Sequence, residues 1–240
     1  MSVTGFPDRE PVRVGLPISD SIAALYAAYG ISLALLARQR TGDGQEVQVS
    51  LVDGVISLLS FQADTYFGRG EVAQRAGNDH PVSAPYGTFK ALDGYINVAP
   101  PGDQMWERFA HALGRPDLLH DARFTTNDLR HQHRTEINQI INNITSRRTM
   151  AEWVECFNAA GVPCGPIYDL AQVFADPQIQ HQEMVLELEQ PSGKVRTLGF
   201  PIKLSKTPAA LHGPAPQIGQ QNADILGDLG YTAVEIDALK

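Results

Sequence analysis

Asp20 is the residue best placed for chemistry in this sequence, because it stands directly before the apolar run 22–36. Ser19 and Asp20 are residue types preferred in the first turn of a helix, where they satisfy free backbone N–H groups and suit the positive end of the helix dipole. The simplest interpretation is therefore a cap. The same N–H groups and dipole also keep a carboxylate ionised and partly stripped of water, a state in which it acts as a nucleophile. The residues alone favour the cap.

The elements that would position Asp20 are two helices and a strand. Residues 19–40 are rich in Ala, Leu and Ile, which predicts a long buried helix that ends at Gly42. Residues 46–50 alternate between polar and apolar side chains, as a strand does. Residues 50–67 open with a variant of the capping box, in which Asp replaces Glu, and predict a second helix. This order predicts a β-α fragment of a doubly wound domain.

The rest of the sequence mixes short strands with helices, which predicts a small α+β domain. The segment before it, residues 68–85, is polar and contains glycines, as linkers do. The predicted elements are a hairpin of residues 88–90 and 95–98, helices at 104–113, 128–145 and 150–160, a hairpin of 184–189 and 194–198 around Pro191, Ser192 and Gly193, an irregular stretch at 207–216, and helices at 221–229 and 233–239.

Composition and charge exclude several classes of function. A formal charge of −8 over 240 residues argues against nucleic acid and anionic membrane as partners. The two cysteines, Cys156 and Cys164, form no CxxC pattern, which predicts reduced structural thiols. No leader segment and no charge-free run of membrane-spanning length is recognisable, so we expect a cytoplasmic protein. Six of the seven histidines show no metal-ligand spacing with acids or cysteines. They are His111, His120, His131, His133, His181 and His212.

Short motifs spread over almost the whole chain resemble the family III CoA-transferases, the formyl-CoA transferase and carnitine CoA-transferase (CaiB/BaiF) relatives. The matching residues are 12–20, Gly30, 40–53, 77–81, 84–89, 160–167 and 174–178. The resemblance implies an α/β fold with part of a Rossmann-like large domain and a small α+β domain. The implied division is 1–67 as a large-domain segment, 68–85 as a linker, 86–183 as the small domain, and 184–240 as a hairpin, a linker and a return to the large domain.

For Asp20, the resemblance implies covalent chemistry. In the family, the aspartate aligned with Asp20 attacks an acyl-CoA thioester to give a mixed anhydride, and the freed CoA thiolate then forms an aspartyl-CoA thioester. An acceptor carboxylic acid attacks that thioester, and CoA returns to the new acyl group. The resemblance thus implies an acyl-CoA and a carboxylic acid as substrates, with no metal and no permanently bound cofactor.

Four further residues are candidates for binding the substrate or CoA. Gly77, Asn78 and His80 lie where formyl-CoA transferases carry a run of glycines that closes over the intermediate. A single glycine there argues against a mobile glycine lid and against formyl-CoA transferase itself. His80 either faces the substrate or hydrogen-bonds backbone, and Tyr86 either lines the acyl pocket or serves in packing.

The resemblance also implies that the N-terminal half of the large domain, with most contacts to the CoA nucleotide, is not part of this chain. We expect a C-terminal portion of a transferase, which works as an interlocked homodimer or with an N-terminal complementing chain. Its activity alone stays open, as do the acyl donor and the acceptor. Two alternatives remain, an α-methylacyl-CoA racemase and a non-catalytic remnant or partner subunit.

Overall fold

The computed structural model describes residues 2–190, 193–211 and 213–239. The predicted turn residues Pro191 and Ser192, and His212, lie outside the described residues. The chain divides into two compact units, Met1–Ile167 and Tyr168–Lys240. The predicted division into four parts is finer than this one and stays a prediction.

Helices and short antiparallel strands alternate along the chain, so a mixed α and β architecture is confirmed. The helices are α1 (Ile18–Thr41), α2 (Leu51–Ser57), α3 (Phe61–Arg69), α4 (Gly102–Ala112), α5 (Asn127–Gln132), α6 (Arg134–Thr145), α7 (Met150–Ala159), α8 (Leu170–Ala175), α9 (Pro177–His181), α10 (Asn222–Asp228) and α11 (Ala233–Ala238), with a 3-10 turn at Pro116–Leu119. The strands are β1 (Gly87–Lys90), β2 (Tyr95–Val98), β3 (Cys164–Pro166), β4 (Val185–Gln190) and β5 (Gly193–Leu198).

Helix α1 has the predicted bounds but not the predicted burial. It ends at Gly42, whose φ of 82° suits glycine and whose N–H bonds the Arg38 carbonyl at 2.9 Å. Ala23 is its one buried residue. The expectation of a buried helix was wrong because, among the described residues, α2 is the main element packed on it, through Gly54 against Ile22. Its exposed apolar side chains are Ile18, Leu25, Tyr26, Tyr29, Ile31, Leu33, Leu35 and Leu36.

Among the described helices, α1 alone passes a test of length and apolar composition for crossing a membrane. The test is weak evidence, because the core helix of a soluble protein has the same composition. The exposed apolar face of α1 therefore indicates that another surface covers it.

Two predictions around α2 and α3 were also wrong. Residues 46–50 form no strand, because a strand needs a hydrogen-bonded neighbour and the described residues supply none beside this segment. The predicted helix 50–67 is broken at residues 58–60, where Ser60 has a φ of 46°. Its cap is confirmed, since the Ser50 hydroxyl accepts the Asp53 N–H at 3.3 Å. All strand pairs of the described residues are antiparallel.

The first unit contains a three-stranded sheet in the order β1-β2-β3. The β1–β2 hairpin was predicted, whereas the third strand, which begins at Cys164, was not. Burial, and secondly Cys156, raises the pKa of Cys164 to about 12, so this free thiol stays protonated. Helices α4, α6 and α7 cover the sheet. The core includes Phe89, Ile96, Val98, Trp106, Phe109, Phe124, Ile137, Ile141, Trp153 and Phe157.

Helices α5 and α6 replace the single predicted helix 128–145, because His133 leaves the helical conformation at φ −99° and ψ 28°. The capping box at the start of α7 is confirmed, with Thr149 and Glu152 bonded in both directions. The described part of the second unit contains the β4–β5 hairpin, the pairs α8–α9 and α10–α11, and no buried hydrophobic side chain.

Candidate active site

Asp20 is the third residue of α1 and does not cap it. The residue before the helix is Pro17, and no side chain there makes a capping hydrogen bond. Proline has no N–H, so the reciprocal bond of a capping box to Asp20 is impossible. The exposed carboxylate of Asp20 accepts one hydrogen bond, from the Ser19 hydroxyl at 3.2 Å. Asp20 is thus an acid in the first turn of the helix that makes no capping hydrogen bond.

The start of α1 also leaves backbone donors free. The Ser21 N–H bonds the Pro17 carbonyl at 3.0 Å, whereas those of Ser19 and Asp20 find no acceptor among the described residues. Unpaired N–H groups and the helix dipole favour negative charge at this point. They can stabilise the Asp20 carboxylate or an oxyanion that forms beside it.

Residues 77–86, which we call the His80 loop, hold the other four predicted site residues. Gly77 has a φ of 64°, and its N–H bonds the Gly5 carbonyl at 2.9 Å. A Cβ atom at Gly77 would lie 2.8 Å from the Phe6 ring. Gly77 thus serves in a tight turn, because of its positive φ and the nearby ring. Asn78 is exposed and makes no side-chain hydrogen bond among the described residues.

The His80 ring is fixed on both faces and at one nitrogen. It stacks between Tyr86, with ring centroids 4.8 Å apart, and Phe61, at 5.8 Å. Its Nδ1 accepts the backbone N–H groups of Val82 and Ser83 at 3.2 and 3.1 Å. An acceptor Nδ1 carries no proton, so the neutral ring carries its proton on Nε2. Both interpretations of His80 remain open, because Nδ1 bonds backbone while Nε2 has no partner among the described residues.

The carbonyl side of the His80 loop is bound by one helical segment. We call Asn127, Arg130, His131 and Arg134 the polar clamp. Five consecutive carbonyl groups of the loop each accept a hydrogen bond from it. The pairs are Arg134–His80 at 2.7 Å, His131–Pro81 at 2.9 Å, Asn127–Val82 at 3.1 Å, Arg134–Ser83 at 3.2 Å and Arg130–Ala84 at 2.8 Å. The loop is thus bound at every carbonyl group from His80 to Ala84.

Two arginines give the polar clamp positive charge. Arg130 is buried at 1% exposure, lies over the Trp106 ring at 5.1 Å and bonds Asp103 at 3.1 Å. Arg134 is half-buried, 4.0 Å from Asp79. Burial lowers the pKa of both arginines, and their carboxylate partners act in the opposite direction. Burial, and secondly the charge of Arg134, lowers the pKa of His80 below 6.5, so the neutral ring predominates at pH 7.

The structure brings together four of the five predicted site residues and leaves Asp20 apart. Gly77, Asn78, His80 and Tyr86 share the His80 loop, but no hydrogen bond or ion pair of the described residues joins that loop to Asp20. Sequence reasoning missed Phe61 and the polar clamp. A signal existed for the clamp, because its residues stand at i, i+3, i+4 and i+7, the spacing of one helix face.

A hollow of about 770 Å³ lies elsewhere, in the second unit. Its lining includes Phe174 and Leu198, and one ion pair, Arg196–Glu187 at 3.3 Å. No predicted site residue lines it, so we assign the site from bonding and chemistry instead of cavity size. In the described part of the chain, no group of three or more His, Cys, Asp or Glu side chains is arranged to hold a metal ion.

Comparison with known proteins gives one consistent result. The sequence profile described as "CoA-transferase family III" matches residues 1–222. The succinyl-CoA–D-citramalate CoA-transferase of Chloroflexus aurantiacus is 34% identical over 242 residues, covering 100% of this chain and 60% of that protein. The succinate–glutarate CoA-transferase of Agrobacterium fabrum is 33% identical, covering 95% of this chain and 58% of that protein.

A solved structure gives the same result for the fold. The crystal structure of a CaiB/BaiF family protein from Brucella suis superimposes with a TM-score of 0.80 at 34% identity. The match covers 95% of this chain and 60% of that one. The chain therefore spans about 60% of the length of the relatives it matches.

Proposed function

The chain belongs to the family III CoA-transferases, and from this premise we propose that it transfers coenzyme A from an acyl-CoA thioester to a carboxylic acid through Asp20. One observation carries the proposal. The Asp20 carboxylate stands at the start of a helix where no capping bond occupies it and two backbone N–H groups are free. Such an environment leaves the carboxylate oxygens accessible to an electrophile and supplies N–H groups to an oxyanion that forms beside them.

The proposed reaction uses the Asp20 carboxylate twice. A carboxylate oxygen attacks the thioester carbonyl carbon, the C–S bond breaks, and a mixed anhydride and CoA thiolate result. The thiolate then attacks the Asp20 carbonyl carbon, which releases the donor acid and leaves an aspartyl-CoA thioester. The acceptor carboxylate repeats the two steps in reverse and leaves with CoA. Each step exchanges one acyl bond for another of similar energy, so no metal or nucleotide is required.

The names of the relatives suggest a class of substrate. Both the Chloroflexus and the Agrobacterium proteins are named for transfer between succinate or succinyl-CoA and a second dicarboxylic acid. We therefore propose succinyl-CoA as donor and a dicarboxylic acid as acceptor.

We propose further that the active protein covers the exposed apolar face of α1. Leu25 and Tyr29 are more than 60% exposed on this face, and the relatives contain about two fifths of their length that this chain does not match. A polypeptide equivalent to that part, in a dimer or as a complementing chain, supplies a protein surface for α1. In the interior of a multidomain enzyme a helix of this composition is ordinary.

The test is to trap the intermediate. The purified chain is incubated with succinyl-CoA, alone and with a polypeptide that corresponds to the unmatched part of the Chloroflexus relative. Hydroxylamine then converts an activated acyl group into a hydroxamate, which peptide mass spectrometry locates. We expect a hydroxamate on Asp20 in at least one condition and a loss of more than ~10³-fold in Asp20→Asn, the scale of removing a covalent nucleophile.

The control is Asp53→Asn, which changes an acid at the start of α2 instead of α1. Its hydroxamate yield should equal that of the unchanged chain. An adduct seen only with the added polypeptide shows that the reaction requires a polypeptide that covers the apolar face of α1. No adduct in either condition contradicts the catalytic role of Asp20 and leaves the non-catalytic partner as the function. Exchange of the proton next to the thioester without an adduct would instead identify a racemase.

A further inference from the structure

Arg75 links the two ends of the part of the chain that carries Asp20. It follows α3 in sequence, yet its guanidinium donates to three carbonyl groups in the segment before α1. Nε bonds Phe6 at 3.1 Å, and Nη2 bonds Pro7 at 3.4 Å and Arg9 at 2.9 Å. The partners are 66 to 69 residues apart in sequence, and α1, α2 and α3 all lie between them.

The segment that Arg75 binds is a folded turn, residues 4–12, which we call the 4–12 turn. The Val12 N–H bonds the Thr4 carbonyl at 3.1 Å, and the Arg9 N–H bonds the Phe6 carbonyl at 3.3 Å. A guanidinium group presents its N–H donors in one rigid plane, so a single arginine can bind several carbonyl groups of a turn together. Arg75 therefore holds the 4–12 turn as one unit.

The contact continues two residues beyond Arg75. The Gly77 N–H bonds the Gly5 carbonyl at 2.9 Å, and the Phe6 ring lies where a Cβ atom of Gly77 would be. Residues 75–77 thus bind the 4–12 turn through four hydrogen bonds and one apolar contact.

This link matters because the residues between its two sides have little core of their own. We call residues 18–69, which contain α1, α2 and α3, the helical segment. Its buried residues are Ala23 and Gly54, and α1 begins without a side-chain cap. A helix end without a cap has backbone groups that lack partners. Joining the two ends of such a segment removes conformations that the open segment would sample.

We propose that Arg75 is a positioning residue for the transfer reaction, because it closes the helical segment at its two ends and thereby orders the first turn of α1, where Asp20 stands. The inference rests on the function proposed above and adds a residue that acts through the 4–12 turn. Arg75 exchanges no proton and forms no bond to the substrate in this role. Since a misplacement of about 1 Å can slow a reaction ~10²-fold, loss of the closure should appear in the rate at Asp20.

Two substitutions separate the guanidinium group from its charge. Arg75→Lys keeps the charge, but an ammonium group has no planar fork for several carbonyl groups. Arg75→Ala leaves a space that free guanidinium ion can enter. The control is Arg69→Met, at an exposed arginine in the last turn of α3 that makes no side-chain hydrogen bond or ion pair among the described residues.

One readout is the rate of hydroxamate formation at Asp20, in the condition in which the unchanged chain forms it. The other is hydrogen exchange of the Ser21 amide, whose N–H bonds the Pro17 carbonyl at the start of α1. We expect the rate to fall about 10²-fold in Arg75→Ala and in Arg75→Lys, with a loss of protection at Ser21. Both should recover in Arg75→Ala when guanidinium is added below its unfolding concentration, but not when ammonium is added.

A purely structural role would also lower the stability of the packed sheet. Urea denaturation followed by the fluorescence of Trp106 and Trp153 reports on that sheet, because both lie in its core. The urea midpoint should be the same in Arg75→Ala, Arg69→Met and the unchanged chain, and Arg69→Met should keep the full rate.

An unchanged rate in Arg75→Ala overturns the inference and leaves the function of Asp20 standing. A lower urea midpoint in Arg75→Ala, or a loss of rate that guanidinium does not restore, overturns it as well. If the unchanged chain forms no adduct, the function proposed for Asp20 fails, and exchange at Ser21 then decides by itself whether Arg75 orders the start of α1.

Discussion

The two regions of the first unit that hold Asp20 and the His80 loop are built differently. The helical segment 18–69 contains α1, α2 and α3, and its buried residues are Ala23 and Gly54. The packed domain 87–166 contains the three-stranded sheet and the aromatic core around Phe109 and Phe157. Asp20, the proposed nucleophile, belongs to the first region, whereas the His80 loop is bound to the second by the polar clamp.

The two regions differ in how completely their apolar side chains are buried. The packed domain buries its own core, because its apolar side chains cover one another. The helical segment presents apolar side chains that have no cover among the described residues. Burial of such side chains stabilises by about 25 cal/mol per Å² of apolar surface, and this gain is missing in the segment. The His80 loop is thus bound by a domain that buries its own apolar side chains, whereas Asp20 lies in a segment whose apolar side chains are exposed.

The largest difference in stability between the two regions should appear when one phenylalanine in each is changed to alanine. Phe157 is fully buried and stacks on Phe109 and Trp153, both with ring centroids 5.1 Å away. Phe157→Ala should lower the free energy of unfolding by about 3–5 kcal/mol, because it removes apolar contacts and leaves a cavity. The matched change is Phe67→Ala, at a side chain that is 80% exposed, and it should leave stability unchanged.

Urea denaturation followed by tryptophan fluorescence measures this contrast, because both tryptophans, Trp106 and Trp153, lie in the core of the packed domain. Equal shifts in the two variants would contradict the division, since they would mean that the helical segment is covered in solution.

A smaller effect should follow from loosening the polar clamp. Arg130→Met keeps much of the side-chain volume but removes the donors to the Ala84 and Phe124 carbonyls. Buried carbonyl groups without partners cost about 1–3 kcal/mol, so stability should fall by that amount. The control is Arg123→Met, at an exposed arginine that pairs with Asp121. It should leave stability unchanged.

Hydrogen exchange of the Val82 and Ser83 amides measures the effect of Arg130→Met within the His80 loop itself. Protection should drop in Arg130→Met and stay as it was in Arg123→Met. Unchanged protection would show that the His80 loop holds its shape without the buried arginine.

The sequence predicted the elements whose signals are local. Helix α1 ends where Gly42 stands, the β1–β2 hairpin turns at Asp93 and Gly94, and the capping box of Thr149 opens α7, because each depends on residues within a few positions. The errors depend on partners distant in sequence. Residues 46–50 have a strand pattern without a neighbouring strand, and α1 has a core composition without a covering layer.

The candidate site also combines features with local signals and features that depend on contacts distant in sequence. Family motifs drew attention to Asp20 and His80, but the state of each follows from contacts that no motif encodes. Asp20 fails to cap because Pro17 precedes the helix, and this could have been deduced from the sequence. The tautomer of His80 could not be deduced, since it depends on a loop folded back so that two N–H groups meet one ring nitrogen.

The smallest effect is a pH dependence that belongs to His80. The ring stacks on Phe61 and Tyr86, and burial followed by the charge of Arg134 lowers the pKa of His80 in the folded state. The unfolded chain therefore binds more protons than the folded chain just below pH 6.5, and stability rises with pH there. The stabilising contribution is complete above pH 6.5 and is lost as the pH falls through the lowered value.

The difference in unfolding free energy between the unchanged chain and His80→Asn isolates this contribution, because all other titrating groups are common to both. We expect the difference to be constant above pH 6.5 and to shift against the unchanged chain below it. Protonation there also places a hydrogen on Nδ1, where it meets the Val82 and Ser83 N–H groups, so the His80 loop should loosen over the same range. A difference that is flat down to pH 5 would mean that the ring is not held by these two N–H groups. In that case the His80 loop is no better ordered than the segment that carries Asp20.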